Sequence, residues 1–257
     1  MDEAIEKVVA AGFRDVELSA DYCPIVEAWE ADPVATCQRL ATAGLAVPSI
    51  HSPEAGRHLD IADGAARQAS IDVELACFEK MVASGIPEII IHPTSVWSLP
   101  EGDSWDALRA RSVESLKRLA DRAGQEGLRM AVENLGKEPS PAATIGGILN
   151  MIGGLGDHVG VCHDVGHTVQ AGLDVLSETK TALDSGKLFS LHLHDVDADN
   201  RDHYIPGEGC VDLGPVIAEL NARDFSGGRT LEVSPPESNV DERISMVADV
   251  RRDWEAR

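Results

Sequence analysis

The chain has 257 residues, 43% of them apolar and 4% aromatic, with 44 acidic against 22 basic residues and a formal net charge of −22. That length suits a single domain over residues 1–257 with a core of Val, Ile, Leu and Ala, the mix of a parallel sheet buried on both faces, while the acidic surface speaks against nucleic acid or an anionic membrane as partner. The five cysteines (Cys23, Cys37, Cys77, Cys162 and Cys210) include no C-x-x-C pair, and the opening MDEAIEKVVAAGF is acidic rather than a basic leader, so a soluble cytoplasmic protein without disulfides is expected.

The first predicted element is a helix over Asp2 to Ala11. Seven strand candidates then alternate with helical segments: Asp15 to Ser19, Ala46 to His51, Glu88 to His92, Arg129 to Glu133, Val159 to Asp164, Leu188 to His194 and Arg229 to Val233. The intervening AARQASIDVELACFEKMVASG and WDALRARSVESLKRLADRAGQEG place apolar residues near the i, i+3, i+4 spacing and close on glycine. Strict βα alternation predicts an α/β fold with a parallel sheet, and the lack of G-x-G-x-x-G after the first strand favours a closed TIM-type (β/α) barrel over a dinucleotide-binding open sheet. An eight-stranded barrel needs one more strand than these seven, so the usual first strand is expected to be missing. Either the true start lies upstream of Met1 or the barrel is incomplete at that seam.

Barrel active sites form at the carboxyl ends of the strands. The apolar runs end at or beside His51, His92, Glu133, Asp164, His192 and Glu232, nearly all of them metal-ligand types. Glu133 in MAVEN and Glu232 in TLEVS follow or interrupt apolar residues, and a carboxylate buried there needs a counter-charge. No Lys or Arg stands at these strand ends, which leaves a metal ion or an imidazolium. The mixed oxygen and nitrogen set Glu133, Asp164, His192 and Glu232 suits one divalent ion, Mn²⁺ first, with Mg²⁺, Co²⁺ or Zn²⁺ as alternatives. In D-V-G-H, Asp164 reads as a ligand and His167 as a substrate-orienting group, or else as a helix cap and a surface histidine. In LHLHD, His192 and His194 share one strand face, and His194 is either a support for the ligands or a packing residue. The segment HYIPGEG, carrying His203 and Glu208, reads as a loop that closes over substrate or as a plain connection, and Trp97 as a pocket wall or a cap on the barrel.

Taken in order, GFRDVEL, IIIHP, MAVEN, CHDVGH, LHLHD with its PGEG loop, and TLEV resemble the sugar isomerase/epimerase superfamily with the xylose isomerase-type barrel, which also includes endonuclease IV. The resemblance covers nearly the whole chain. In its isomerase branch it implies that Glu133, Asp164, His192 and Glu232 hold one metal, that Glu133 and Glu232 form an acid/base pair, and that His167 contacts a small sugar or polyol; His51, His92, His203, Glu208 and Trp97 are expected to bind substrate beside it. The implied reaction is proton transfer through an enediolate. Inosose dehydration and hydroxypyruvate isomerisation use the same ligands. The nuclease branch implies instead a three-zinc phosphodiesterase built from His51, His92, Glu133, Asp164, His167, His192, His203 and Glu232, but Arg201 stands where that pattern has an aspartate, with Asp202 adjacent. A non-catalytic barrel that binds a metal or polyol is the third reading. The oligomeric state is open, a homo-oligomer included.

Overall fold

A computed structural model of the protein describes residues 2–21, 25–53, 58–94, 99–234 and 240–255. Seven parallel strands follow one another in a curled sheet of order β1-β2-β3-β4-β5-β6-β7: β1 (Leu18–Ser19), β2 (Ser49–His51), β3 (Glu88–Ile91), β4 (Arg129–Glu133), β5 (Val159–Asp164), β6 (Leu188–His192) and β7 (Gly228–Thr230). Around them lie α1 (Asp2–Ala10), α2 (Val26–Ala31), α3 (Pro33–Ala43), α4 (Gly64–Ser84), α5 (Trp105–Glu126), α6 (Ile145–Ile152), α7 (Val165–Gln170), α8 (Val175–Asp184), α9 (Gly214–Ala222) and α10 (Val240–Glu255). The TIM-barrel reading therefore holds, with the seven strands seen in the sequence.

Five strands are shorter than their apolar runs suggest, and two of them have a clear local cause. Ala46 still bridges Asp15, but Pro48 has no N–H to give to the ladder, so β2 begins at Ser49. After His192 the chain turns to pair Asp195 with Tyr204 in an antiparallel bridge, which ends β6 before His194. The two long helices close as predicted at Gly85 and Gly127, both at positive φ.

Side-chain alternation separates apolar clusters outside the sheet from a small one inside it. The large outer one joins Ile89, Ile91, Met130, Val132 and Val161 to helix residues such as Phe78, Met81, Leu116 and Leu119. A small inner one, Ile90, Ala131 and Cys162 with Phe189 against it, fills the barrel lumen. With a period of two, Ala131 and Glu133 share the inner face, as do Cys162 and Asp164, so both carboxylates rise directly above the apolar floor.

β1 and β7 are the two sheet edges, and the terminal helices bridge the seam between them. Arg251 of α10 donates to the carbonyls of Gly12 (2.7 Å) and Ala11 (3.4 Å) and lies over the ring of Phe13, while Lys7 of α1 pairs with Asp241 at 2.6 Å. Among the described residues no helix is long and apolar enough to cross a membrane.

Candidate metal centre

The ligand-type residues predicted at the strand ends do converge. Asp164 and His192 are register partners at the ends of β5 and β6, Glu133 ends β4, and Glu232 lies two residues beyond β7. His192 Nδ1 is the hub, 3.2 Å from Glu133 Oε2, 3.0 Å from Glu232 Oε2 and 3.9 Å from Asp164 Oδ2. One ligand atom from each of these four residues lies within 4.8 Å of the other three. Glu133, Asp164 and His192 are fully buried, and Glu232, with its side chain 31% exposed, marks the open side.

These groups fit a cation better than they fit one another. Both oxygens of Glu133 and both nitrogens of His192 are buried, yet none makes a directed hydrogen bond despite the short separations. Atoms that crowd one point without bonding each other are placed as donors around an ion. Three carboxylates with one imidazole form a largely hard set, suited to Mn²⁺, Mg²⁺ or Co²⁺ and compatible with Zn²⁺. Among the described residues every ion pair of Glu133 is with an imidazole: His192, His51 Nε2 (3.5 Å), His92 Nε2 (3.4 Å) and His167 Nδ1 (3.2 Å).

The imidazoles and carboxylates of the cluster shift one another's ionisation. Burial pushes the Glu133 carboxyl up, but His192, His92 and His167 outweigh it and hold it well below the usual range. Glu232 is likewise held low against burial by His192 and His203. Burial opposes charge on His192, yet Cys162, Glu232, Glu133 and Glu17 together lift it well above an ordinary imidazole.

Asp164 is a helix cap that also faces the cluster. Its Oδ1 caps α7 by accepting the His167 N–H (2.6 Å), and its Oδ2 faces the hub. His194 is a support: its Nδ1 accepts the N–H of His203 (3.0 Å), so Nε2 carries the proton and donates to Asp164 Oδ2 at 2.9 Å. The imidazole lies so close to the turn of α7 that a Cβ on Gly166 would stand 1.9 Å from its Cε1, which explains the glycine of D-V-G-H. His167 Nδ1 lies 3.0 Å from the Asn134 carbonyl and its Nε2 4.0 Å from Asp202 Oδ2. His203 sits on the open side between Asp202 (3.1 Å) and Glu232 (3.7 Å), and burial, which opposes its charge, is outweighed by these carboxylates, so its pKa rises to about 10. Asp202 correspondingly falls to about 2, burial being overcome by His203.

Not every predicted residue reaches the cluster. Glu208 is exposed on its loop and forms no ion pair with the ligands among the described residues. Trp97 lies outside the described residues.

Three buried polar residues carry structure at the site that the sequence did not single out. Asn134 ties β4 to β5, donating to the Asp164 carbonyl (3.0 Å) and accepting the Asp164 N–H (2.8 Å). Asp195 accepts four backbone N–H groups, those of Val196, Gly207, Gly209 and Val211, at 2.8 to 2.9 Å, and so folds the PGEG loop. A Cβ on Gly209 would stand 2.4 Å from Asp195 Oδ1. Glu17 lies across the lumen, its Oε1 3.0 Å from His192 Nε2 and its Oε2 accepting from Ser49 Oγ at 2.6 Å. The motifs GFRDVEL, MAVEN and LHLHD contained all three, but their partners are assigned only by the closure of the sheet.

Comparison with known proteins agrees with this architecture. An inosose isomerase of Halalkalibacterium halodurans is 25% identical over 137 residues, which are 51% of this chain and 48% of that protein, so the chain spans about half the length of that relative. The solved IOLI protein with a binding zinc atom superposes with a TM-score of 0.82 at 18% identity, over 99% of this chain and 92% of the other. An L-ribulose 3-epimerase superposes at 0.79, with 18% identity over 99% and 91%. Residues 5–250 match the family described as the xylose isomerase-like TIM barrel, and to that family the chain belongs.

Proposed function

We propose that the protein is a divalent-metal-dependent isomerase or epimerase of a sugar or polyol, with Glu133, Asp164, His192 and Glu232 as metal ligands and Glu133 and Glu232 as the acid/base pair. The observation that carries this reading is the pair of carboxylates on either side of one imidazole, 3.2 and 3.0 Å from His192 Nδ1, with no Lys or Arg paired to either among the described residues. A bound divalent ion supplies Lewis acidity toward a substrate carbonyl, which acidifies the neighbouring C–H. One glutamate takes that proton as base. The proton then returns either to the opposite face of the same carbon, giving the epimer, or to the adjacent carbon, giving the isomer, by way of an enediolate. His167 and His203 lie on either side of Asp202 at the open side, placed to hydrogen-bond substrate hydroxyls. The relatives named inosose isomerase and L-ribulose 3-epimerase support a polyhydroxy ketone, linear or cyclic, as the substrate.

Turnover of ketoses and inososes in D₂O tests this directly, with deuterium expected at the carbon beside the carbonyl. Glu133→Gln is expected to abolish turnover and to strip bound metal. Normal turnover in that variant, or products free of deuterium, would sink the assignment.

One observation favours a second reading, a multinuclear phosphodiesterase. His51 and His92 gather on Glu133 as a further ligand group, and Asp202, although displaced by one position from the nuclease pattern, still lies between His167 and His203. The net charge of −22 opposes a nucleic-acid substrate. Metal analysis separates the two: one equivalent supports the isomerase, and two or three of zinc the phosphodiesterase.

A further inference from the structure

Glu17 is a carboxylate 7% exposed at its side chain, on the opposite side of the His192 ring from the ligand cluster. Among the described residues its hydrogen bonds and ion pairs go to Ser49 and His192 alone, with no Lys or Arg to offset its burial. It precedes β1, at one edge of the sheet, whereas His192 ends β6, next to the other edge, so their contact crosses the lumen rather than following the strand ladder. Ser49, the first residue of β2, holds the second oxygen and so fixes how the carboxylate is turned.

Resting on the metal-site reading above, we propose that Glu17 is the positioning residue for His192. It keeps the ring proton on Nε2 and leaves the Nδ1 lone pair for the cation. An imidazole can protonate at either nitrogen, and only one of its two neutral forms presents a lone pair to Glu133, Asp164 and Glu232. A carboxylate at the far nitrogen selects that form, restrains ring rotation and makes Nδ1 a stronger donor. The contact is a close charge contact at 3.0 Å rather than an aligned hydrogen bond. Ser49 acts one step further out, by fixing how that carboxylate is turned.

The test is Co²⁺ binding to the full chain, followed by calorimetry and by the visible ligand-field bands that report the donor set. Glu17→Ala is expected to weaken Co²⁺ by about 10- to 100-fold and to alter the bands. Glu17→Gln, which keeps an acceptor oxygen but not the charge, should fall between Glu17→Ala and the parent protein. Ser49→Ala should cause a smaller loss that disappears in the Glu17→Ala background, because both act through one contact. Thermal unfolding in EDTA establishes that each variant is folded, and if Glu17→Ala is not, the Gln and Ser49 variants decide. Parent-like affinity and bands in Glu17→Gln and Ser49→Ala would overturn the proposal even where Glu133→Gln abolishes binding. Failure of the parent chain itself to bind Co²⁺ would overturn the metal-site reading, and the role of Glu17 with it.

Discussion

Asp164 divides one carboxylate between a helix cap and the proposed ligand position. Asp195 holds four backbone N–H groups. Its removal leaves the N–H groups of residues 196, 207, 209 and 211 without their acceptor, and each buried donor left unmatched costs about 1–3 kcal/mol, less where water reaches it. Asp195→Ala is therefore expected to lose at least about 2 kcal/mol in urea unfolding, and to open residues 196–211 to limited proteolysis. Resistance equal to that of the parent protein would show that the loop holds itself. The proposed ligands were legible in the sequence because each is a charged or imidazole group beside an apolar run, an arrangement that costs free energy unless it is compensated. Asp195, Asn134 and Glu17 were not legible in the same way. Nothing in their local sequence distinguishes them from caps and surface acids, and their partners lie up to 175 positions away, as in the contact of Glu17 with His192.

At the scale of elements, the strands were read almost entirely from apolar runs, and the errors fall at their ends. Pro48 trims β2, and the Asp195–Tyr204 bridge trims β6. The residues after β2 and β3 are held by α5: Arg111 Nε donates to the Asp60 carbonyl (2.6 Å), Ser115 Oγ to the Leu59 carbonyl (2.6 Å) and Ser112 Oγ to the Pro93 carbonyl (2.5 Å). That helix thus steadies the segments that follow His51 and His92. The neighbouring α4 begins at Asp63, whose Oδ1 accepts the N–H groups of Ala65 (2.9 Å) and Ala66 (3.0 Å). Asp63→Ala should cost about 1 kcal/mol, read as a lower urea midpoint at unchanged slope. An unchanged midpoint would mean that solvent satisfies those donors equally well.

For the whole molecule, a net charge of −22 acts as a standing self-repulsion. Raising KCl from about 0.1 M to about 1 M shortens the screening length from about 10 Å to about 3 Å. The thermal midpoint should rise with KCl, by about 2–4 °C for each kcal/mol of repulsion relieved. A flat or falling midpoint would show that the surface acids are already locally compensated, as Asp241 is by Lys7.

The seam between β1 and β7 gives the site a mechanical role. Among the described residues the sheet does not close on itself through backbone pairing, yet Glu17 reaches from beside the first strand to the sixth, and Glu232 from beyond the last strand to the same imidazole. His192 is thus the knot of a drawstring whose two ends belong to opposite lips of the opening. A group that binds His192 would therefore be joined through these two carboxylates to both lips of the opening.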